Sequence, residues 1–292
     1  MSRLRVAVVV LIISLAGCTG GLPSDVGPSS DSGPDADPDT VEPAPTAEGT
    51  LEVHYIAVGQ AASVLVIGPE GETMLIDSGH FNDAGEFVIE YLDGLGIDRL
   101  DYLVTSHPDA DHIGGHADVI EHFETTGDGV GEIYDPGIPS NTQTYEQYLD
   151  AGEEHNVTLI EARAGDEIPM AGMRADILGP PEGYLAGEDP NENSLVLQLG
   201  HGETSMLLTG DAESEAEAFL VEEYGDRLET TGMKAGHHGS SSSTSAALLD
   251  AAQPQAAVIS SPYDSQYGHP HDETLQRLGT RSIATYWTAT HG

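Results

Sequence analysis

The sequence predicts an α/β sandwich, two mixed sheets covered by helices. Three observations carry that expectation. Apolar runs of strand length come early and are joined by short Gly- and Pro-containing turns, as in hairpins. From Glu86 onward, strand-like runs alternate with segments of helical periodicity. Clusters of Asp, His and Asn fall repeatedly just after strands, where open α/β sheets place their sites.

In order, Leu51 to Val58 alternates like a half-buried strand and Gly59 breaks it. Ser63 to Ile67 and Glu72 to Ile76 are the next two strands, joined through Gly68-Pro69-Glu70-Gly71. A helix follows over Glu86 to Leu95, then a strand over Leu100 to Val104. Helices near His116 to Phe123 and over Gln143 to Glu154 flank a strand at Glu132 to Tyr134. Short strands are expected near Val157 to Ile160 and Met173 to Leu178. After a loop from Gly179 to Asn193, Ser194 to Leu199 and Met206 to Thr209 form a hairpin, and a helix runs from Ala212 to Tyr224. The last third alternates again: Thr230 to Ala235, Ala246 to Ala252, Ala256 to Ser260, Glu273 to Leu278 and Ile283 to Trp287.

The chain has 292 residues, with 50 Asp and Glu against 9 Lys and Arg, a formal net charge of -41. A hydrophobic content of 38% with clear strand periodicity argues for a folded protein with an acidic, hydrated surface, as in proteins from salt-loving organisms. The charge excludes a broad basic groove. It does not exclude anionic substrates, because concentrated salt screens repulsion over a few ångströms.

Residues 1–18 are expected to lie outside the fold as a lipoprotein signal peptide. Arg3 and Arg5 precede an apolar run, Val6 to Ala16, and Leu15-Ala16-Gly17-Cys18 resembles a lipobox with Cys18 as the lipidated residue. Cys18 is the only cysteine, so the body of the protein holds no disulfide and no thiolate metal site. Residues 19–49, rich in Gly, Pro, Ser and acid, are expected to be a disordered tether, leaving one domain over 50–292. The localisation implied is extracytoplasmic, on a lipid anchor at the cell surface.

The densest chemistry is Thr105 to Gly115. Between His107 and His112 it holds two imidazoles and two carboxylates, with Asp109 and Asp111, just past a strand end. Uncompensated charge so concentrated is costly to bury, and a metal would compensate it. Four more clusters share the strand-end position: Asp77, Asn191 to Ser194, Thr209 to Asp211, and Gly236 to Ser240. Asp77 reads as a carboxylate bonding to the motif rather than ligating metal, and Asn193 as either a ligand or a loop cap. His269 and His271 are either loop and helix-start residues or donors to a substrate phosphate or leaving group. Lys234, the only lysine, is placed to hold a phosphate or a site carboxylate. Ser240 to Thr244 offer hydroxyls at a helix start, for an anion or for capping. His54 and His201 read as surface or strand histidines, and His116 and His122, six apart, do not share a helix face.

In order, these motifs resemble the metallo-β-lactamase fold, whose hallmark is His-x-His-x-Asp-His, a bridging Asp and a final His. They are more closely similar to the metallo-hydrolase part of the ComEC DNA-uptake proteins. The matching stretches are Val58-Gly59-Gln60, Asp77-Ser78-Gly79, His107 to His112, Asn191 to Val196, Leu208 to Asp211, Lys234 to Ser240 and Tyr267 to His271. The resemblance covers about residues 51 to 292. Where the family has Gly-Asp after Val-Gly-Gln, this chain has Ala61-Ala62, and it stops at Thr290-His291-Gly292 where such domains add a final strand.

The resemblance implies two divalent ions, Zn²⁺ or Mn²⁺. His107 and Asp109 would hold the first, Asp111 and His112 the second; Asp211 would bridge and His237 complete the second site, with His238 its neighbour. Asp109 replaces a histidine of the lactamases, which makes the first site richer in oxygen and leans it towards Mn²⁺. Metals about 3.5–4 Å apart activate water and stabilise both oxygens in phosphodiester cleavage. The function expected is therefore a phosphodiesterase or nuclease acting on DNA, with Asp111, Lys234 and His271 as catalytic groups and Ser240 and His269 binding substrate. A DNA-uptake channel would be a partner. The alternatives are hydrolysis of another ester, thioester or lactam, and a non-catalytic surface binding protein.

Overall fold

The structure is a computed structural model that describes residues 8–12, 45 and 48–291. Its first sheet contains β1 (Val8–Ile12), β2 (Glu52–Ile56), β3 (Val64–Ile67), β4 (Thr73–Ile76), β5 (Leu100–Val104), β6 (Val130–Asp135) and β7 (Thr158–Glu161), side by side in that order. Neighbours are antiparallel up to β4 and parallel beyond it. The second sheet repeats the plan with β8 (Arg174–Gly179), β9 (Val196–His201), β10 (Thr204–Leu208), β11 (Gly232–Lys234), β12 (Ala256–Ile259) and β13 (Ala284–Trp287). It is antiparallel through β10 and parallel from there to β13.

The period of two in each strand divides its side chains between two cores. Met74 and Ile76 of β4, Tyr102 and Val104 of β5, and Leu197 and Leu199 of β9 meet between the sheets. Their neighbours point outward: Leu75 and Leu103 pack under α1 (Glu86–Leu95), α2 (His116–Thr126) and α3 (Gln143–His155). Leu207 and Met233 do the same under α4 (Ser214–Tyr224), α5 (Ala246–Ala252) and α6 (Asp272–Thr280). Buried on both faces, these strands read as nearly continuous apolar runs, each full-size side chain contributing about 1.5–3 kcal/mol. Helix, sheet, sheet and helix is the expected order of layers. A short helix, α7 (Thr288–His291), follows β13.

Val8–Ile12, within the stretch expected to be a leader, lies antiparallel to Glu52–Ile56 in the full chain; cleavage before Cys18 would remove it and leave β2 as the edge strand. Cys18 and nearly all of the 19–49 tether lie outside the described residues. Pro45, one exception, accepts a hydrogen bond from Gly202 N at 3.2 Å, so contact with the domain begins before Leu51.

Parallel pairing sets the site. β4, β5, β10, β11 and β12 deliver their C-terminal ends, and the loops after them, to the seam where the two sheets meet.

Candidate metal centre

The loop after β5 is clamped by its backbone. Ser78 N donates to His112 O at 2.7 Å, Ala62 N to Asp111 O at 3.1 Å, Phe81 N to Ala110 O at 3.1 Å, and Gly114 N to Gly79 O at 3.0 Å. Ala61 and Ala62, where the resembled family has Gly-Asp, are buried in this clamp. Gly114 is required by close approach, since a Cβ there would lie 2.0 Å from Phe81 N and 2.3 Å from His80 C. Gly114→Ala is therefore expected to destabilise the protein by about 3 kcal/mol or more, as overpacking against backbone does. Denaturant midpoints check it; a loss below about 1 kcal/mol would show that the clamp yields.

The clamp aims two imidazoles. His112 Nδ1 donates to Asp77 Oδ2 at 2.7 Å, and His238 Nδ1 to the Ser260 carbonyl at 3.0 Å. These partners assign each Nδ1 its proton, so each Nε2 presents a lone pair. The two Nε2 atoms face each other at 3.3 Å. Asp211 Oδ2 lies 3.3 Å from both, and Asp111 Oδ2 lies 3.3 Å from His238 Nε2. Carboxylates facing Nε2 atoms at that spacing draw in positive charge, either a proton on the rings or a metal ion. Two further buried atoms, His107 Nε2 and Asp211 Oδ1, have no hydrogen-bond partner.

Among the described residues, His107, His112 and Asp211 form one group able to hold a metal ion, and Asp111, His112 and His238 another. Nitrogen and carboxylate donors without thiolate suit Zn²⁺, Mn²⁺ or Fe²⁺. The residues present fit the divalent metal that the motif implies.

Electrostatics follow from the crowding. Burial pushes the His112 and His238 pKa values down, but Asp211, with Asp77 at His112 and Asp111 at His238, outweighs it and raises both. Burial likewise works against ionised Asp211 and Asp111 and is overcome by the histidines, which hold both carboxyls below their usual range. Asp77 accepts from Ser106 N and Ser106 Oγ as well, both at 2.8 Å, so it stands behind His112. Asp77→Asn is expected to lower metal affinity about 10–100-fold, because the amide no longer fixes the ring as a strong acceptor does. Titration with a competing chelator reads that number; unchanged affinity would remove Asp77 from the support of the site.

Several candidates sit differently from expectation. Asp109 is half exposed and outside both metal-capable groups, its Oδ2 at 3.6 Å from His107 Nε2. His107 holds the Asp109 carboxyl below its usual range. His238, rather than His237, enters the cluster. His237 Nδ1 bonds Glu213 Oε1 at 2.8 Å, leaving Nε2 at 3.7 Å from Asp211. Lys234 is buried behind Asp211, donating to Gly210 O at 3.3 Å with Nζ 3.9 Å from Asp211 Oδ1, so it supports a carboxylate and does not reach substrate.

Asn193 is a loop cap, its amide committed to the backbone of Leu185 and Asp189. Both ring nitrogens of His271 are occupied, Nδ1 accepting from Ser241 N and Nε2 donating to Tyr267 O, which makes it a loop fastener rather than an acid. Ser240 bonds Ser242, which donates to Glu213. The anion position after it is already filled, because the Glu217 carboxylate accepts from Thr244 N and Ser245 N.

His269 does reach the site. Its ring is 5.8 Å from that of His237 and 6.4 Å from that of His238. Burial and the neighbouring imidazoles lower its pKa to about 4, and Nδ1 accepts from Gln60 at 3.1 Å, so a neutral ring keeps its proton on Nε2. Sequence reasoning missed Gln60, Glu213, Ser106 and the Ser260 carbonyl. Gln60 and Ser106, each inside a stretch singled out above, carried a signal.

A profile of the metallo-beta-lactamase superfamily matches residues 57–262. ComE operon protein 3 of Bacillus subtilis (strain 168) is 32% identical over 269 residues, spanning 86% of this chain and 33% of that one. Competence protein ComA of Neisseria gonorrhoeae is 32% identical over 241 residues, 82% of this chain and 31% of that one. Recombination protein 2 of Haemophilus influenzae (strain ATCC 51907 / DSM 11121 / KW20 / Rd) is 28% identical over 247 residues, 83% of this chain and 28% of that one. The chain thus spans about a third of the length of these relatives. Among solved structures, the metallo-beta-lactamase fold protein YhfI from Bacillus subtilis aligns with a TM-score of 0.51 at 12% identity, covering 77% of this chain and 87% of that one, a likeness of fold alone. With the matched profile spanning both metal-capable groups, the chain belongs to the metallo-beta-lactamase superfamily of metallo-hydrolases.

Proposed function

We propose that this protein is a two-metal phosphodiesterase that cleaves DNA outside the cytoplasm, held at the membrane by lipid on Cys18. The observation that carries the chemistry is the convergence of His112 Nε2, His238 Nε2, Asp111 and Asp211 at 3.3 Å contacts, with His107 Nε2 and Asp211 Oδ1 buried beside them without hydrogen bonds. His107, His112, His238, Asp111 and Asp211 would hold the divalent ions, which would supply an acidified water and charge stabilisation at a phosphodiester oxygen. The chain's own groups hold this geometry: Asp77 and the Ser260 carbonyl orient the imidazoles, Lys234 backs Asp211, and neutral His269 offers an Nε2–H to a phosphate or leaving-group oxygen.

Two of the relatives are named for competence and recombination, which favours DNA as substrate. Among the described residues no helix is long and apolar enough to cross a membrane. The test uses purified protein in concentrated KCl, with bound metal measured by elemental analysis and linear and circular DNA offered with Mn²⁺ or Zn²⁺, against Asp111→Ala. Metal-dependent cutting lost in the variant supports the reading, and cut circles add endonuclease action. Bound metal without cutting moves the substrate to small esters, and absence of metal binding sinks the mechanism.

A further inference from the structure

Among the described residues the cationic side chains are committed elsewhere. Arg99, Arg163, Arg174 and Arg281 pair with Asp101, Glu161, Asp176 and Asp250. Arg277 donates to loop carbonyls and Arg227 lies over Tyr224. With Lys234 buried, a phosphate backbone finds no set of cations to grip it among the described residues.

The loops next to the site carry exposed aromatic side chains instead. Phe81, Tyr263 and Tyr267 are 51%, 78% and 60% exposed in a chain with only 5% aromatic residues. They are three of the four exposed aromatic side chains among the described residues, the other being Tyr286 on β13. Phe81 is tied to Ala110, between Asp109 and Asp111, through its backbone N–H, and its ring stacks on His80 at 4.3 Å. Tyr267 lies 5.8 Å from the His269 ring, tilted by 32°. Tyr263, in the same loop, stacks on Trp287 at 5.7 Å. Phe81 is thus joined to the loop that carries Asp111, and Tyr267 reaches His238 through His269, whose ring lies 6.4 Å from that of His238.

We propose that these rings form a stacking platform for the bases of single-stranded nucleic acid, laid across the metal-capable cluster; this rests on the phosphodiesterase reading above. An unpaired base offers an open π-face, whereas a duplex hides it, and stacking tolerates any sequence. Stacking also survives salt. Phosphate contacts weaken as counterions accumulate, but a base on a tyrosine releases none. For a chain with a net charge of -41, recognition by stacking avoids the term that works against it.

The test is binding by full-length protein freed of metal with a chelator, so that nothing is cut. Anisotropy is measured with a fluorescent oligothymidylate and with an abasic strand of the same length, in dilute and in molar KCl. The oligothymidylate should bind about tenfold or more tightly, with the difference kept in molar KCl. Tyr267→Ala and Phe81→Ala should each weaken oligothymidylate binding about five- to a hundredfold, with Tyr267→Trp and Phe81→Tyr restoring it. Equal affinity for the two strands, or binding that vanishes in molar KCl, overturns the platform, and the unsubstituted protein alone decides this even if an alanine variant misfolds. Base-dependent binding without cleavage by metal-loaded protein would sink the phosphodiesterase and leave the platform. Cleavage without base dependence would do the reverse.

Discussion

Asp211→Asn is expected to lower hydrolysis by about 10³-fold or more and to abolish stable metal binding. Oδ2 of Asp211 lies 3.3 Å from the Nε2 atoms of both His112 and His238, and Oδ1 is buried without a hydrogen bond. An amide keeps the shape but replaces one acceptor with a donor and removes the charge. In metal-free protein the same carboxylate raises the pKa of both histidines. Its loss leaves them without their shared counter-charge, at a cost of about 3–5 kcal/mol, the usual consequence of breaking a buried pair. Elemental analysis, rates with Mn²⁺ or Zn²⁺, and unfolding midpoints read the three effects separately. A variant with bound metal and activity within tenfold of the parent would show that the cluster is not the reactive centre.

Asp135→Asn is expected to stabilise the protein at neutral pH, and the gain should vanish in acid. Asp135 ends a buried chain of donors: Ser78 to His116, His116 to Thr105, Thr105 to Tyr148, and Tyr148 to Asp135 at 3.1 Å. Burial raises the Asp135 pKa to about 6, although Gly137 N donates to the carboxylate at 2.6 Å. A folded pKa above the unfolded one means that the stabilisation by this proton is full below about pH 4 and is lost as pH rises through about 6. The asparagine variant should therefore exceed the parent by about 3 kcal/mol near pH 7 and match it near pH 4.

His116 titrates in the opposite sense. Burial lowers its pKa to about 4. Its stabilisation is present above about pH 6.5 and lost as pH falls through about 4. A His116→Gln variant should then gain on the parent only in acid. Denaturant midpoints at constant KCl, taken as differences from the parent across pH, test both signs, and flat difference curves would show that neither group is held away from its ordinary pKa.

Much of the site was legible because metal ligation restricts residue type. His107, Asp111, His112 and Asp211 are donors at the ends of apolar runs, and the fold brings their donor atoms into the two metal-capable groups. The choice between His237 and His238 was not legible. It depends on left-handed backbone at both, φ 46° and 54°, which turns His238 inward and leaves His237 to Glu213. Lys234 and His271 drew notice by composition and motif, yet burial behind Asp211 and two backbone bonds took them out of reach of a substrate.

By itself the sequence determined the layer order, the strand-end position of the site and its donor chemistry, because strand period, helix period and ligand type are local properties of the chain. Tertiary structure alone decided which donors meet. His112 and His238 are 126 residues apart, Gln60 and His269 are 209 apart, and each pair is joined only when two sheets built from different halves of the chain pack face to face. That packing is set by the apolar core between the sheets, whose side chains fix the seam without carrying any mark of the chemistry that it aligns.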